Sequence, residues 1–274
     1  MMSNEQESSS TPFAAWASSN REPASVTLST GYQQGPSLHS HIASVADGHI
    51  KVRLLHGLDR AQRHAILATA TYRYFTHETV VTHQDDPADR LFLLLRGSAR
   101  FFFLTPTGKK VYLHWLSPGE IFGAASLLTE TANFIVSTEV SKGTHTLVWQ
   151  KNVLRSLIRV YPLLLENSLA VACDYLVWYL ASHLSLVSCS ARDRLAHVLV
   201  SLASGIGQPS SNGTRIEITN EQLANTANVT LFTASRLLRE FHRSGAILKT
   251  RGQVVISRQD RLFPNRREIE SRRA

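Results

Sequence analysis

Between residues 71 and 149 the apolar positions come in short dense runs, each closed by a turn signal. RLFLLLRG and SARFFFL flank Arg96-Gly97, TPTG at 105–108 leads into KKVYLHWL, and SPGE at 117–120 closes the next run. Glycines 97, 108 and 119 punctuate this meander at intervals of eleven residues. Several short strands at such spacing predict a sandwich or barrel. Ahead of it, Asp59 caps a predicted helix, RAQRHAILATA, ending in the strand-like TYRYF at 71–75. Residues 1–45 are rich in Ser, Thr, Gln and Gly without sustained periodicity, and read as a disordered tail that buries too little to offset its ordering entropy. His39 and His41 fall in that tail and read as solvated.

After Trp149 the period becomes helical. Tyr161-Pro162 marks a boundary, beyond which Leu165, Leu169, Ala172, Leu176, Tyr179, His183 and Leu186 recur at intervals of 4, 3, 4, 3, 4 and 3. That is a heptad seam of the coiled-coil kind, although a core helix of one chain produces the same stripe. A further helix is predicted over 191–203 and a loop over GIGQPSSNG, 205–213.

Two short amphipathic helices follow across a break of a few residues. Thr219 with Gln222 forms a capping-box start, and Leu223 and Ala224 face inward. Asn228 sits at the break, where a positive φ is expected and Asn tolerates it. Thr230 caps the second helix, which buries Ala234, Leu237, Leu238 and Phe241 and presents Thr233, Ser235, Arg236 and Arg239. A small residue at Ala224 lets the helices cross closely, the geometry that places one helix in a DNA major groove. AILKTRGQVVI, 246–256, then predicts a hairpin wing turning at Arg251-Gly252.

The balance of charge strengthens that reading: the 274 residues carry a formal net charge of +8, which favours a polyanionic partner. Two cysteines, Cys173 and Cys189, allow neither a disulfide framework nor a four-cysteine cluster. The start, MMSNEQESSS, lacks the pattern of a signal peptide. The richest apolar stretch, near 163–186, is interrupted by Glu166, Asn167, Asp174 and His183, so no membrane span and a cytoplasmic protein are expected.

ITNEQLANTANVTLFTASRLLREF resembles the DNA-binding signature of the CRP/FNR family of bacterial transcription regulators, and PGEIFG in the meander agrees. The resemblance covers roughly 50–262 and implies an α+β fold: an N-terminal double-stranded β-roll (jelly roll) sensor over 46–150, a dimerisation helix within 151–190, a winged helix-turn-helix over 191–262, and a basic tail, 263–274. It also implies a homodimer on a two-fold-related double-stranded DNA site, with RNA polymerase as a partner, and no enzymatic activity.

On this template Arg236 aligns with the family's base-reading arginine, with Leu231, Phe232, Thr233 and Ser235 beside it. Phosphate contacts fall to Thr219, Thr230, Arg239, Arg243, Lys249 and Arg251. Leu231-Phe232 replaces a polar pair of well-known members. These apolar groups either meet thymine methyls or tuck against the wing. In cyclic-AMP-binding relatives a glutamate after the PGEIFG-like stretch and an Arg-Ser pair hold the nucleotide. Here those places fall on Ala124 and on Phe134-Ile135, so a pocket of Ile121, Phe122, Gly123, Ala124, Ala125, Phe134 and Ile135 lacks the donors a cyclic phosphate needs. Cyclic nucleotide is not expected, and the effector is unknown. Haem-binding relatives make His77, His83 and His114 candidate axial ligands, without a spacing signature. Two competing readings stand beside the regulator: a metal- or haem-binding sensor or metal-dependent enzyme on a small β-barrel, with His77, Glu78, His83 or His114 as ligands, and a scaffold whose winged helix binds protein rather than DNA. Cys173 lies beside the seam as a candidate redox group.

Overall fold

The computed structural model describes residues 37–105, 108, 110–127 and 131–263, with side chains from residue 42 onward. The tail over residues 1–36, the side chains of His39 and His41, and the end of the basic tail lie outside the described residues. The expected tail is shorter than 45 residues: Ser37–Ala46 forms helix α1. Its Ile42, Val45 and Ala46 are buried in the same core as Leu54, Leu55 and Leu58. Helical spacing within SLHSHIASVA carries that contact, diluted by the serines and histidines around it.

Helix α2, Arg60–Ala68, starts on a reciprocal cap. Asp59 Oδ1 accepts from the Gln62 amide at 2.8 Å, and Gln62 Oε1 accepts from the Asp59 amide at 3.0 Å, satisfying two donors that a helix start leaves open. Eight strands follow: β1 Thr71–Phe75, β2 Thr79–Thr82, β3 Arg90–Arg96, β4 Ala99–Leu104, β5 Lys110–Leu116, β6 Ile121–Phe122, β7 Ser137–Val140 and β8 Thr144–Gln150. They make two antiparallel sheets, β1-β8-β3-β6 and β2-β7-β4-β5. Phe92, Leu94, Phe101, Phe122 and Val148 fill the space between them. Leu91, Leu93, Leu95, Leu147 and Trp149 point the other way into the helical layer. β3 is therefore buried on both faces, which is why its sequence is an unbroken apolar run rather than an alternation.

Helix α3, Lys151–Val160, leads into α4, Leu163–Ser188, the longest helix. Leu164, Ser168 and Val171 of α4 are buried against the roll. Further along, Tyr175 donates to the Ile121 carbonyl at 3.2 Å and Trp178 meets the His114 ring at 4.5 Å between centroids. Arg53 forms an ion pair with Asp174. By length and composition α4 is also the one helix among the described residues able to cross a bilayer, despite the polar residues that interrupt its apolar run.

The remaining chain builds a second core. Helix α5 spans Ala191–Ile206, and the expected 205–213 loop is largely structured, as the end of α5 and strand β9, Gln208–Ser210. β10 Gly213–Glu217, α6 Asn220–Thr226, α7 Leu231–Arg243, β11 Ile247–Thr250 and β12 Gln253–Ile256 complete it, the sheet running β11-β12-β10-β9. Leu195, Leu199, Leu223, Leu238, Phe241 and Ile256 pack together there. The two cores touch through β5: Trp115 packs against the second core and its Nε1 donates to Thr226 Oγ1 at 3.4 Å. Gly205 lies close to the β5–β6 turn, where an added Cβ would stand 2.6 Å from Ser117 Oγ.

Candidate nucleic-acid interface and sensor site

The helix pair is built from local chemistry. Thr219 Oγ1 accepts from the Gln222 amide at 3.2 Å, and Gln222 Oε1 accepts from the Thr219 amide at 2.9 Å. Thr230 Oγ1 accepts from the Thr233 amide at 3.1 Å and so caps α7. Between the helices Asn228 sits at φ 48°, a left-handed conformation that Asn adopts more readily than other residues with a Cβ. Ala224, Ala234, Leu237, Leu238 and Phe241 are buried. Burying a side chain the size of Phe241 stabilises by roughly 1.5–3 kcal/mol, which anchors α7 in the second core.

The outward side of α7 is mixed. Leu231 and Phe232 are 53% and 75% exposed. Arg236 is exposed, yet its Nη1 lies 2.6 Å from Glu240 Oε1, while Glu240 Oε2 lies 3.3 Å from Arg192 Nη1. Thr233 shares a hydrogen bond with Thr230 at 2.8 Å, and Ser235 accepts from Asn220 at 3.2 Å. Those two hydroxyls are thus engaged within the helix pair. Arg239 and Arg243 are exposed. Partial burial, and then the neighbouring Arg239 guanidinium, hold the Lys249 amine below its ordinary pKa; two cations meet on one side of the wing. Arg251 is exposed at the hairpin turn, where Gly252 takes φ 73°.

One residue here gave no sequence signal. Arg194, in the first turn of α5, donates from Nε to the Ala227 carbonyl at 3.1 Å and from Nη2 to the Asn228 carbonyl at 3.2 Å. Its Nη1 donates to the Cys189 carbonyl at 2.9 Å. It ties the end of α4 to the break between α6 and α7, a contact no periodicity predicts.

In the roll, Ile121 and Phe122 are buried in β6, and Ala124 and Ala125 lie in a 3-10 turn, Ala124–Leu127. Gly119 at φ 94° leaves no room for a Cβ, which would stand 2.3 Å from the Lys51 carbonyl oxygen. At Gly123, φ 83°, a Cβ would meet the Arg90 carbonyl at 2.5 Å and the Phe134 ring at 3.3 Å. Phe134 is buried against this glycine while Ile135 is 71% exposed. Ser126 is buried with a hydroxyl that has no partner among the described residues.

The candidate ligands are dispersed. His77 contacts Thr76, His83 lies 3.5 Å from Asp86, and His114 packs on Tyr175 and Trp178 with Glu120 at 3.7 Å. Glu78 pairs with Arg100 at 2.8 Å. Among the described residues no three His, Cys, Asp or Glu side chains converge as a metal would need.

The seven seam residues do not share one environment. Leu165 and Tyr179 are half-buried against their own chain, whereas Leu169, Ala172, Leu176, His183 and Leu186 are exposed. Val177, Leu180, Leu184 and Val187 are also exposed, at 56% or more, and Cys173 lies exposed among them. At 3.6 residues per turn, the free apolar face is centred a fraction of a turn away from the predicted stripe.

Residues 72–161 match the family model described as a cyclic nucleotide-binding domain, and residues 193–263 match that of a Crp-like helix-turn-helix domain. The chain is 26% identical over 212 residues to the anaerobic regulatory protein of Bacillus subtilis, covering 73% of this chain and 84% of that protein. It is 28% identical over 205 residues to the cyclic AMP receptor protein of Thermus thermophilus, covering 74% and 91%. Among solved structures, the c-di-GMP responsive global regulator CLP of Xanthomonas campestris superimposes with a TM-score of 0.63 at 19% identity, covering 72% of this chain and 99% of that one. FixK2 of Bradyrhizobium japonicum gives 0.62 at 19% identity, covering 71% and 96%.

A β-roll, a long helix and a winged helix-turn-helix in this order define a two-domain transcription regulator rather than an enzyme. The chain belongs to the CRP/FNR family of transcription regulators.

Proposed function

We propose that the protein works as a homodimer that binds a two-fold-related DNA site in the cytoplasm and acts on RNA polymerase there. The observation that carries this is the face formed by α7 and the wing: Arg236, Arg239 and Arg243 follow one another along the helix beyond the exposed Leu231 and Phe232, and Lys249 and Arg251 stand on the adjoining wing. The arginines and the lysine neutralise phosphates and supply salt-sensitive affinity. Arg236, once it exchanges Glu240 for a guanine edge, supplies discrimination. Leu231 and Phe232, exposed as they are, suit thymine methyls. The apolar face of α4 supports pairing with a second copy rather than lipid, because Asp174 and Glu166 interrupt the helix and Asp174 is held by Arg53.

The roll does not hold a cyclic nucleotide in this reading. Ala124 and Phe134-Ile135 supply neither a ribose acceptor nor phosphate donors, and Phe134 occupies the space beside Gly123. Selection of bound sites from a random duplex pool tests the function. A palindromic motif recovered by a dimer, with affinity falling steeply as salt rises, is the expected outcome. Recovery of no motif together with salt-insensitive binding refutes it.

A further inference from the structure

A second recess lies away from both the α7 face and the roll interior. It opens between the two domains and has a volume of about 560 Å³, within the range of small-molecule sites. One wall is the sensor's turns: Arg96 ends β3, and Lys142 sits in the β7–β8 turn. The other wall is the winged domain, with Arg215 and Glu217 of β10. Tyr74 and His145 line the sensor side, their rings 4.8 Å apart.

The charges there are poorly matched. Three basic side chains line it against one carboxylate, Glu217, and among the described residues none of Arg96, Lys142 and Arg215 makes an ion pair. Arg215 donates from Nη2 to Gln208 at 2.8 Å, while its buried Nε has no partner among the described residues. Like charges held around one recess repel, and that repulsion is relieved by a bound anion with several acceptor oxygens. His145 is already committed, with the Tyr72 hydroxyl 2.5 Å from its Nδ1, so it braces the wall. Tyr74 is 42% exposed and offers an aromatic face on the cleft.

We propose that this interdomain cleft binds a phosphate-bearing small molecule, gripped by Arg96 and Lys142 from the sensor and Arg215 from the winged domain, with Tyr74 beneath any planar group it carries. Because its walls come from different domains, such a ligand binds tightly only one relative orientation of sensor and reading head, and so shifts the population toward it. The site requires nothing of the roll interior. It also stands independently of the DNA reading, since the experiment below reads binding in DNA-free protein.

The full chain is titrated calorimetrically with pyrophosphate and, separately, with adenosine 5′-monophosphate, at constant ionic strength set with sodium chloride. Saturable binding of one molecule per chain is expected, weakened by about tenfold or more in Arg96→Gln, Lys142→Gln and Arg215→Gln, each removing one charge-assisted contact. Tyr74→Ala weakens the nucleotide and spares pyrophosphate. Arg96, at the end of β3, and Lys142, in the β7–β8 turn, are exposed, so those variants remain decisive if Arg215→Gln fails to fold by circular dichroism. Absence of saturable heat with both probes overturns the proposal, as does wild-type affinity in Arg96→Gln and Lys142→Gln. It is likewise overturned if those two variants lose duplex DNA affinity while the pyrophosphate titration stays unchanged, which would assign the cations to the DNA backbone.

Discussion

Arg236 and Glu240 stand one helical turn apart on α7, joined at 2.6 Å through Nη1 and Oε1. The base-reading candidate is therefore held by its own helix, at half exposure, before DNA arrives. An exposed pair of this kind contributes only about 0–1 kcal/mol, less than the roughly 1–3 kcal/mol of a bidentate guanine contact, so under the proposed function a guanine edge displaces it. Arg236→Ala should remove about 1–3 kcal/mol of discrimination between preferred and mismatched sites while leaving weak, salt-sensitive binding. Competition binding with single-base variants checks this, and undiminished discrimination would count against the role.

The exposed face of α4 predicts where two copies meet. Leu176 and Leu180 are 59% and 56% exposed, whereas Leu165 and Tyr179 are half-buried. Leu176→Glu and Leu180→Glu should each yield a monomer in sedimentation at micromolar concentration. Leu165→Ala should leave the dimer in place. A Leu180→Glu protein that still sediments as a dimer removes this face as the interface.

Arg100, Glu139 and Lys110 form a largely buried network on the outer face of β4 and β7, beside Trp115. Glu139 lies 2.7 Å from Arg100 and 2.8 Å from Lys110, and the Arg100 guanidinium covers the Tyr112 and Trp115 rings. Burial raises the Glu139 carboxyl, but hydrogen bonds from Lys110 and Arg100 outweigh it and hold the group below its ordinary value of 4.5. A carboxylate depressed in the folded state contributes stability above the unfolded pKa and loses it as pH falls through the folded one. Denaturant titrations should therefore show stability declining below about pH 4.5, with a flatter acid limb in Glu139→Gln. Near neutral pH that variant should lose stability toward the lower end of about 3–5 kcal/mol, because Glu78 still faces Arg100.

Asn228 takes φ 48° between α6 and α7, and Arg194 grips its carbonyl. Asn228→Gly should fold as well as the parent. Asn228→Val, with a branched side chain in the left-handed region, should cost about 1–2 kcal/mol or more and weaken DNA binding by misplacing α7. Thermal melts of the three proteins decide it. Equal melting of the Val variant would mean the break relaxes without cost.

What could be read from residue order was whatever depends on near neighbours. Capping at Asp59 and Thr219, the glycine spacing of the roll and the inward set on α7 were legible because each is settled within one or two turns of chain. Helix α1 was not, since its few apolar positions acquire meaning only against Leu54 and Leu55 from a later segment. The 205–213 segment reads as a loop from sequence because β9 is short and exposed and is defined only by pairing with β10.

Residue order alone specifies a strand-rich roll, a long helix and a capped helix pair with a basic outer side, each fixed by local periodicity and short-range hydrogen bonding. Tertiary structure alone decided the rotational phase of α4, leaving Leu180 and Leu184 free while Tyr175 and Trp178 turn onto the roll. It likewise decided the docking of Trp115 on the winged domain and the gathering of Arg96, Lys142 and Arg215 into one cleft. A period specifies that a helix has a stripe, but which side of it is covered depends on surfaces contributed by residues far away in the chain.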